Sequence, residues 1–322
     1  MVEGFISTII PVFNRASMLK EAVGSVLKQT YRPIEIIIVD DGSTDKTSNV
    51  VDQLATDQPS IITAIHIKSS GPGPAREAGR KIARGEFIQY LDSDDILMPD
   101  KFKMQVEGLR KNPDCGVSYG KTRYYHINDS PKDIPLKRTG ERIPTMFPAF
   151  LQSRWWSTST PLFRSVVTDK AGPWTDLRNE EDWEYDCRIA SQNIKLHYCD
   201  TFVSDTRDHE DNRLCRDGSI DPVKLKDRAI AHKLILGHAL KAGIDKDEPE
   251  MKHFARELFL LSRQCGAAGL TVESKLLFDL AIEASDTEAA SALDFKIYRL
   301  GANLIGWCRM GKIARQLDKL RP

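Results

Sequence analysis

Cysteine is sparse in this chain: Cys115, Cys187, Cys199, Cys215, Cys265 and Cys308 are scattered over 322 residues with no C-x-x-C pair. That spacing excludes a zinc cluster or a disulfide framework and fits a reducing, cytoplasmic setting. An excess of one charge is also missing. The 46 basic and 46 acidic residues cancel, so no global field recruits nucleic acid, and attraction to an anionic membrane has to be local. No run approaches the ~18 to 20 apolar residues that a membrane-crossing helix needs. Glu3, Asn14 and Arg15 interrupt the first apolar stretch early, so it reads as a strand rather than a signal peptide. The turn after that stretch, Pro11-Val12-Phe13-Asn14-Arg15, lacks the G-x-G-x-x-G that brings backbone close to a dinucleotide pyrophosphate. Gly71-Pro72-Gly73-Pro74-Ala75-Arg76 has no third glycine and is a weak phosphate loop.

What is present, at 41% apolar content, is enough to bury a sizeable core in roughly two domains. The first half alternates β-branched runs with amphipathic helical patterns. Phe5–Ile10 precedes Met18–Lys28, Ile34–Val39 precedes Lys46–Leu54, Ile61–Ile67 precedes Ala75–Arg84, and Phe87–Leu91 precedes Lys101–Leu109. This alternation predicts an α/β fold, a mostly parallel sheet flanked by helices on both faces. Residues 128–148 read as a loop. From Pro222 onward the pattern is helical, with breaks near Gly243, Gly269 and Asp286, so a boundary is expected near residue 218: 1–218 form the α/β domain and 219–322 a C-terminal α-helical region. Phe254–Gly266 followed by Lys275–Ala284 resembles a tetratricopeptide hairpin, but without a clean second copy it reads as part of a plain bundle.

In an open parallel sheet ligands bind beyond the carboxyl ends of the strands, which directs attention to the polar residues that follow them. Asp40-Asp41-Gly42-Ser43 reads equally as a turn with a helix cap and as a nucleobase site in which one aspartate accepts from an imide while its neighbour fixes the turn. Asp92-Ser93-Asp94-Asp95 follows the apolar Phe87–Leu91, and three carboxylates there repel one another unless a cation sits among them. Carboxylate oxygens suit Mg²⁺ or Mn²⁺.

These blocks, in this order and with these separations, resemble glycosyltransferase family two, the inverting nucleotide-sugar transferases of the GT-A fold. The matching stretch runs from Ser7 to about Asn212. It carries Pro11-Val12-Phe13-Asn14, Val39-Asp40-Asp41-Gly42-Ser43-Thr44-Asp45, Ala75-Arg76, Ala83-Arg84-Gly85-Glu86-Phe87-Ile88, Leu91-Asp92-Ser93-Asp94-Asp95 and Met98-Pro99-Asp100-Lys101. The resemblance implies a Rossmann-like GT-A sheet and a UDP-type sugar donor with a divalent metal, Mn²⁺ or Mg²⁺. It puts Pro11 and Phe13 at the base pocket, Asp41 on the base and Arg76 near the nucleotide. Asp92 and Asp94 become the D-x-D pair, Asp92 towards ribose or metal and Asp94 as direct ligand, with Asp95 behind them.

The same resemblance makes Asp182, in Asn179-Glu180-Glu181-Asp182-Trp183-Glu184, the general base, with Glu181 beside it on the acceptor side. Chemically, inversion needs a carboxylate to take the acceptor hydroxyl's proton opposite the departing nucleotide. Without the resemblance, acids in a first helical turn simply complement the macrodipole. Trp155-Trp156 lies where the family places acceptor residues; Trp156 reads equally as a platform for a sugar ring and as core. Arg207-Asp208-His209 resembles the family's Arg-x-His segment, which assigns His209 to the metal or diphosphate.

Between Lys296 and Arg321 seven bases stand against one acid, Asp318, interleaved with aliphatic residues. A basic amphipathic helix of this kind suits an anionic membrane interface, and with it a lipid-linked saccharide acceptor, as well as the surface of a bundle. Two rival classes remain. A sugar nucleotidyltransferase should carry a Gly-rich basic loop after its first strand, and a nucleotide-sugar-binding module without catalysis should lack the base.

Overall fold

The computed structural model describes residues 1–209, 221–287 and 292–319. By internal contacts the chain divides into two compact units, one made of Met1–Met146, Trp155–Asp176 and Gln192–Asn212, the other of Phe147–Arg154, Leu177–Ser191 and Arg213–Pro322. None of the described helices is long and apolar enough to cross a membrane.

The first unit is built on β1 (Val2–Val12), β2 (Ile34–Asp40), β3 (Ile62–His66), β4 (Gly85–Tyr90), β5 (Ile96–Leu97), β6 (Cys115–His126), β7 (Leu162–Arg164) and β8 (Lys195–Asp208). They form one sheet in the order β3-β2-β1-β4-β7-β6-β8-β5. Every residue of β2 is buried, as a near-continuous apolar run covered on both faces must be. Each fully buried Ile or Val there contributes about 1.5–3 kcal/mol relative to exposure, so its position in the sheet is strongly determined. The β3-β2-β1-β4 half is parallel, with α1 (Ala16–Leu27), α2 (Thr47–Asp57) and α3 (Pro72–Ile82) in the connections.

The other half is mixed. β7 runs antiparallel to β4 and β6, β5 antiparallel to β8, and β6 parallel to β8. The alternating pattern of the sequence does not announce β6 and β8, because each is long, half-buried and rich in polar residues such as Lys121, Thr122, Arg123, Ser204 and Asp205. Their register is set across the sheet instead, by contacts such as the Arg123 fork on Asp205 at 2.7 and 2.9 Å. The helices α4 (Lys101–Lys111) and α5 (Ser165–Ala171) complete the unit.

Register explains why the acidic turns meet. Val12 of β1 pairs with Asp40 of β2, and Ile9 pairs with Tyr90 of β4. Pro11–Arg15, Asp40–Asp45 and Asp92–Asp95 therefore all leave the sheet at its carboxyl edge, the usual ligand side of such a sheet.

The second unit is helical: α6 (Glu181–Ala190), α7 (Pro222–Lys241), α8 (Pro249–Ala267), α9 (Thr271–Ala284), α10 (Leu293–Ile305) and α11 (Trp307–Lys319). Helices end at the expected places. Gly243 and Gly269 take positive φ after α7 and α8, and α9 stops before Asp286. Two earlier pieces, 147–154 and 177–191, pack with these helices. The Trp183 ring meets His232 and Phe254 edge-on, and its indole N–H donates to the Phe150 carbonyl at 2.8 Å. Helices α8 and α9 face one another through reciprocal bonds, Ser262 Oγ to Ser274 O at 2.7 Å and Ser274 Oγ to Ser262 O at 2.8 Å.

Candidate active site

In the first unit, Asp40 ties down the turn that follows β2. Its carboxylate accepts from Ser43 N at 3.0 Å and Ser48 Oγ at 2.7 Å, and lies 3.1 Å from His66 Nδ1. Gly42 is required here, since its φ is +74° and a Cβ would lie 2.8 Å from Ser69 N. Asp41 reaches across to the next loop, accepting from Ser70 N at 2.7 Å and Gly71 N at 2.9 Å. Pro11 is buried in β1, whereas Phe13 is exposed at the edge.

The Asp92–Asp95 run is resolved carboxylate by carboxylate. Arg76, itself 4% exposed and stacked 4.8 Å from the Trp174 ring, donates to Asp92 Oδ1 at 2.8 Å. Asp94 Oδ2 lies 2.9 Å from Arg15 Nη1 and 2.9 Å from His209 Nε2. Burial alone would raise the Asp94 carboxyl; the Arg15 charge, with the hydrogen bond and charge of His209, outweighs it and holds the group below the usual carboxylate range. Asp95 has a different environment. It accepts from Ser159 Oγ at 2.9 Å, Thr206 Oγ1 at 3.2 Å and Arg207 N at 3.3 Å, and burial, reinforced by the charges of Asp94 and Asp92, pushes its carboxyl well up. Arg207 adds a bond to the Asp94 carbonyl at 2.6 Å and an ion pair with Glu21. Asp95 therefore anchors the turn from beneath.

The three carboxylates have different partners: Arg76 meets Asp92, Arg15 and His209 meet Asp94, and Asp95 is held by hydrogen bonds while the charges of the other two push its carboxyl up. Among the described residues no three His, Cys, Asp or Glu side chains converge as a preformed cage. The donors still fit a divalent ion of the kind bound chiefly through substrate phosphates with one or two carboxylates: Asp94 offers oxygen, and His209, 2% exposed, has a buried Nδ1 with no hydrogen-bond partner among the described residues.

In the second unit, Asp182 is the second residue of α6. Arg154 lies between two carboxylates, donating Nη1 to Asp182 Oδ2 at 2.5 Å and Nε to Asp186 Oδ2 at 2.7 Å. Asp186 is buried while the Asp182 side chain is 30% exposed. One oxygen of Asp182 also accepts from Trp183 N at 2.7 Å. Glu181, Asp182 and Glu184 crowd the first turn, where the helix dipole favours them. Glu180 before them holds a left-handed backbone at φ 61°, its carboxylate pinned by Arg228 at 2.8 Å and 3.0 Å from His232. Glu181 is buried.

Trp156 is a correction to the reading from sequence. It is wholly buried against Tyr119, and Trp155 lies beneath Arg138 at 3.9 Å, so neither ring offers a face to a sugar. The sequence reading assigned no role to Arg15, Arg207 or Arg154. Arg15 was signalled by its place directly after the first strand and Arg207 by the Arg-x-His segment; Arg154 carries no local signal.

A parallel half-sheet with buried aspartates at its carboxyl edge is an α/β fold whose polar turns stand on the usual ligand side. Residues 7–164 match the family model described as Glycosyl transferase family 2, and over that stretch the chain belongs to this family. An uncharacterised glycosyltransferase of Rickettsia conorii is 38% identical over 148 residues, which cover 46% of this chain and 24% of that one. Glycosyltransferase GlyG of Streptococcus pneumoniae is 34% identical over 137 residues, 42% of this chain and 44% of that one. The match thus spans less than half the length of either relative. Among solved structures, S. aureus TarS 1–349 in complex with UDP-GlcNAc superposes with a TM-score of 0.71 at 19% identity, covering 97% of this chain and 92% of that one. Mannosyltransferase PcManGT of Pyrobaculum calidifontis, with GDP-Man and Mn²⁺, superposes with a TM-score of 0.52 at 18% identity, covering 98% and 87%. These likenesses establish the GT-A fold.

Proposed function

We propose that the chain is an inverting glycosyltransferase that moves a sugar from a nucleotide-diphosphate donor, of the UDP type, to a hydroxyl of a saccharide or lipid-linked acceptor. The observation that carries this reading is the pairing at Asp94, where one carboxylate at the sheet's carboxyl edge faces both Arg15 and His209. Groups that neutralise a carboxylate in the free protein are suited to receive a diphosphate when substrate enters. TarS crystallised with UDP-GlcNAc and PcManGT with GDP-Man and Mn²⁺ support a nucleotide-sugar donor and a divalent ion.

In this reading Asp41 accepts from the base, Pro11 and Phe13 border it, and Arg76 orients Asp92 towards the ribose. Asp94 and His209 would hold Mn²⁺ or Mg²⁺, which when bound supplies positive charge to the departing diphosphate. Arg15 adds a second cation to that leaving group. Asp182 takes the proton from the acceptor hydroxyl while Arg154 fixes its carboxylate. The pairing with Arg154 contributes orientation.

The Asp182→Asn variant separates this reading from a binding module without catalysis. Donor affinity should stay near wild type while nucleotide release in the presence of acceptor falls by about 10²- to 10⁴-fold, the usual contribution of a general base. Wild-type turnover by that variant would remove Asp182 from the role.

A further inference from the structure

Helix α10 shows two opposed apolar faces. Phe295, Tyr298 and Ala302 point inward, where the first two meet the rings of Phe259 and Phe278. At 100° per residue, Leu293, Ile297, Leu300 and Leu304 fall on the opposite side, and they are 71%, 55%, 62% and 76% exposed. Single exposed aliphatics are ordinary, whereas four in a 4-3-4 spacing make a continuous patch. Helix α11 repeats the arrangement. Its inner side packs at Gly311, whose Cβ would lie 2.5 Å from Ala267 N, and Ile313 and Leu317 are exposed on its outer side.

Charge selects the occupant. From Phe295 to Leu317 the sequence carries Lys296, Arg299, Arg309, Lys312 and Arg315 and no Asp or Glu. All five cations are exposed, and the acid at the start of α10, Asp294, is paired with Arg256. A second copy of the same cationic face would repel the first. An anionic bilayer meets both features, taking the aliphatic side chains into its acyl boundary and the cations among its phosphates.

We propose that α10 and α11 form a docking surface for an anionic lipid bilayer. The proposal stands on this face alone and does not depend on the transferase reading. The full chain should co-sediment with phosphatidylcholine vesicles that contain about 30% phosphatidylglycerol and bind pure phosphatidylcholine about tenfold or more weakly, with binding falling as salt rises. Replacing Ile297→Asp together with Leu300→Asp should weaken binding about tenfold or more while far-UV circular dichroism and the melting midpoint stay unchanged, since both side chains are already in water. Lys312→Glu with Arg315→Glu should do the same without touching an aliphatic residue, which keeps the test open if the first variant misfolds. No binding to the anionic vesicles, or binding unaltered by either pair, overturns the proposal. So does a dimer in sedimentation velocity that Ile297→Asp/Leu300→Asp dissociates in the absence of vesicle binding, which gives the stripe to a second copy.

Discussion

Arg15 Nη1 lies 2.9 Å from Asp94 Oδ2, linking the turn after the first strand to the acidic turn after the fourth. The Asp94 side chain is 10% exposed and that of Arg15 23%, and in the proposed reading the guanidinium turns from the carboxylate to an arriving diphosphate. A charge-assisted contact of that kind contributes about 1.5–3 kcal/mol. Arg15→Ala should therefore weaken binding of UDP by roughly 10- to 100-fold, and because it takes a charge partner from the buried Asp94 it should also lower the melting midpoint. Titration calorimetry checks this, and an unchanged Kd would show that Arg15 serves the carboxylate alone.

Arg154 makes a second distinction measurable. Removing it takes a guanidinium partner from Asp186, which is 3% exposed, and breaking a buried pair costs about 3–5 kcal/mol. Arg154→Ala should lower the unfolding free energy in urea titration by an amount of that order. Arg154→Lys keeps a charge but cannot bridge two carboxylates with a planar fork. It should fold better than the alanine variant and still lose kcat, with donor KM unchanged.

The pH dependence of the β2 turn follows from His66. Its Nε2 lies 2.9 Å from Asp52 and its Nδ1 3.1 Å from Asp40, and the hydrogen bond to Asp52, outweighing partial burial, raises its pKa above 6.5. A raised folded-state pKa gives stability that is fully present below about 6.5, the unfolded value, and is lost as pH rises through the folded value. Wild type should exceed His66→Gln in urea midpoint by more at about pH 5.5 than at about pH 9. The effect is small because the imidazole is partly in water. An equal difference at both pH values would show that the ring acts without its charge.

Legibility divides along physical lines. The strands β1, β2 and β4 were readable because doubly covered strands must be apolar throughout, and the breaks at Gly243 and Gly269 because helix ends favour glycine with positive φ. The acidic turns were readable as a group but not in their roles. What separates Asp94 from Asp95 is whether the partner is Arg15 and His209 or Ser159, Thr206 and the Arg207 amide, and those partners lie 64 to 115 residues away in sequence. Trp156 could not be decided locally, because a tryptophan in a loop looks the same whether it packs against Tyr119 in the core or against a sugar. The stripe on α10 was visible as apolar residues among bases, and only its exposure separates it from the inward face formed by Phe295, Tyr298 and Ala302.

The most direct test of the central claim is the melting temperature of the wild-type chain and the Asp94→Asn variant with UDP-sugars, each with and without Mn²⁺. A ligand at about 100 times its Kd stabilises the folded state by about 2.7 kcal/mol, a rise of several degrees for a chain of this size. The account predicts that a UDP-sugar with Mn²⁺ raises the wild-type midpoint more than either does alone, and that Asp94→Asn loses the metal-dependent part of the rise. A wild-type midpoint unmoved by any nucleotide-sugar, with metal or without, would contradict it.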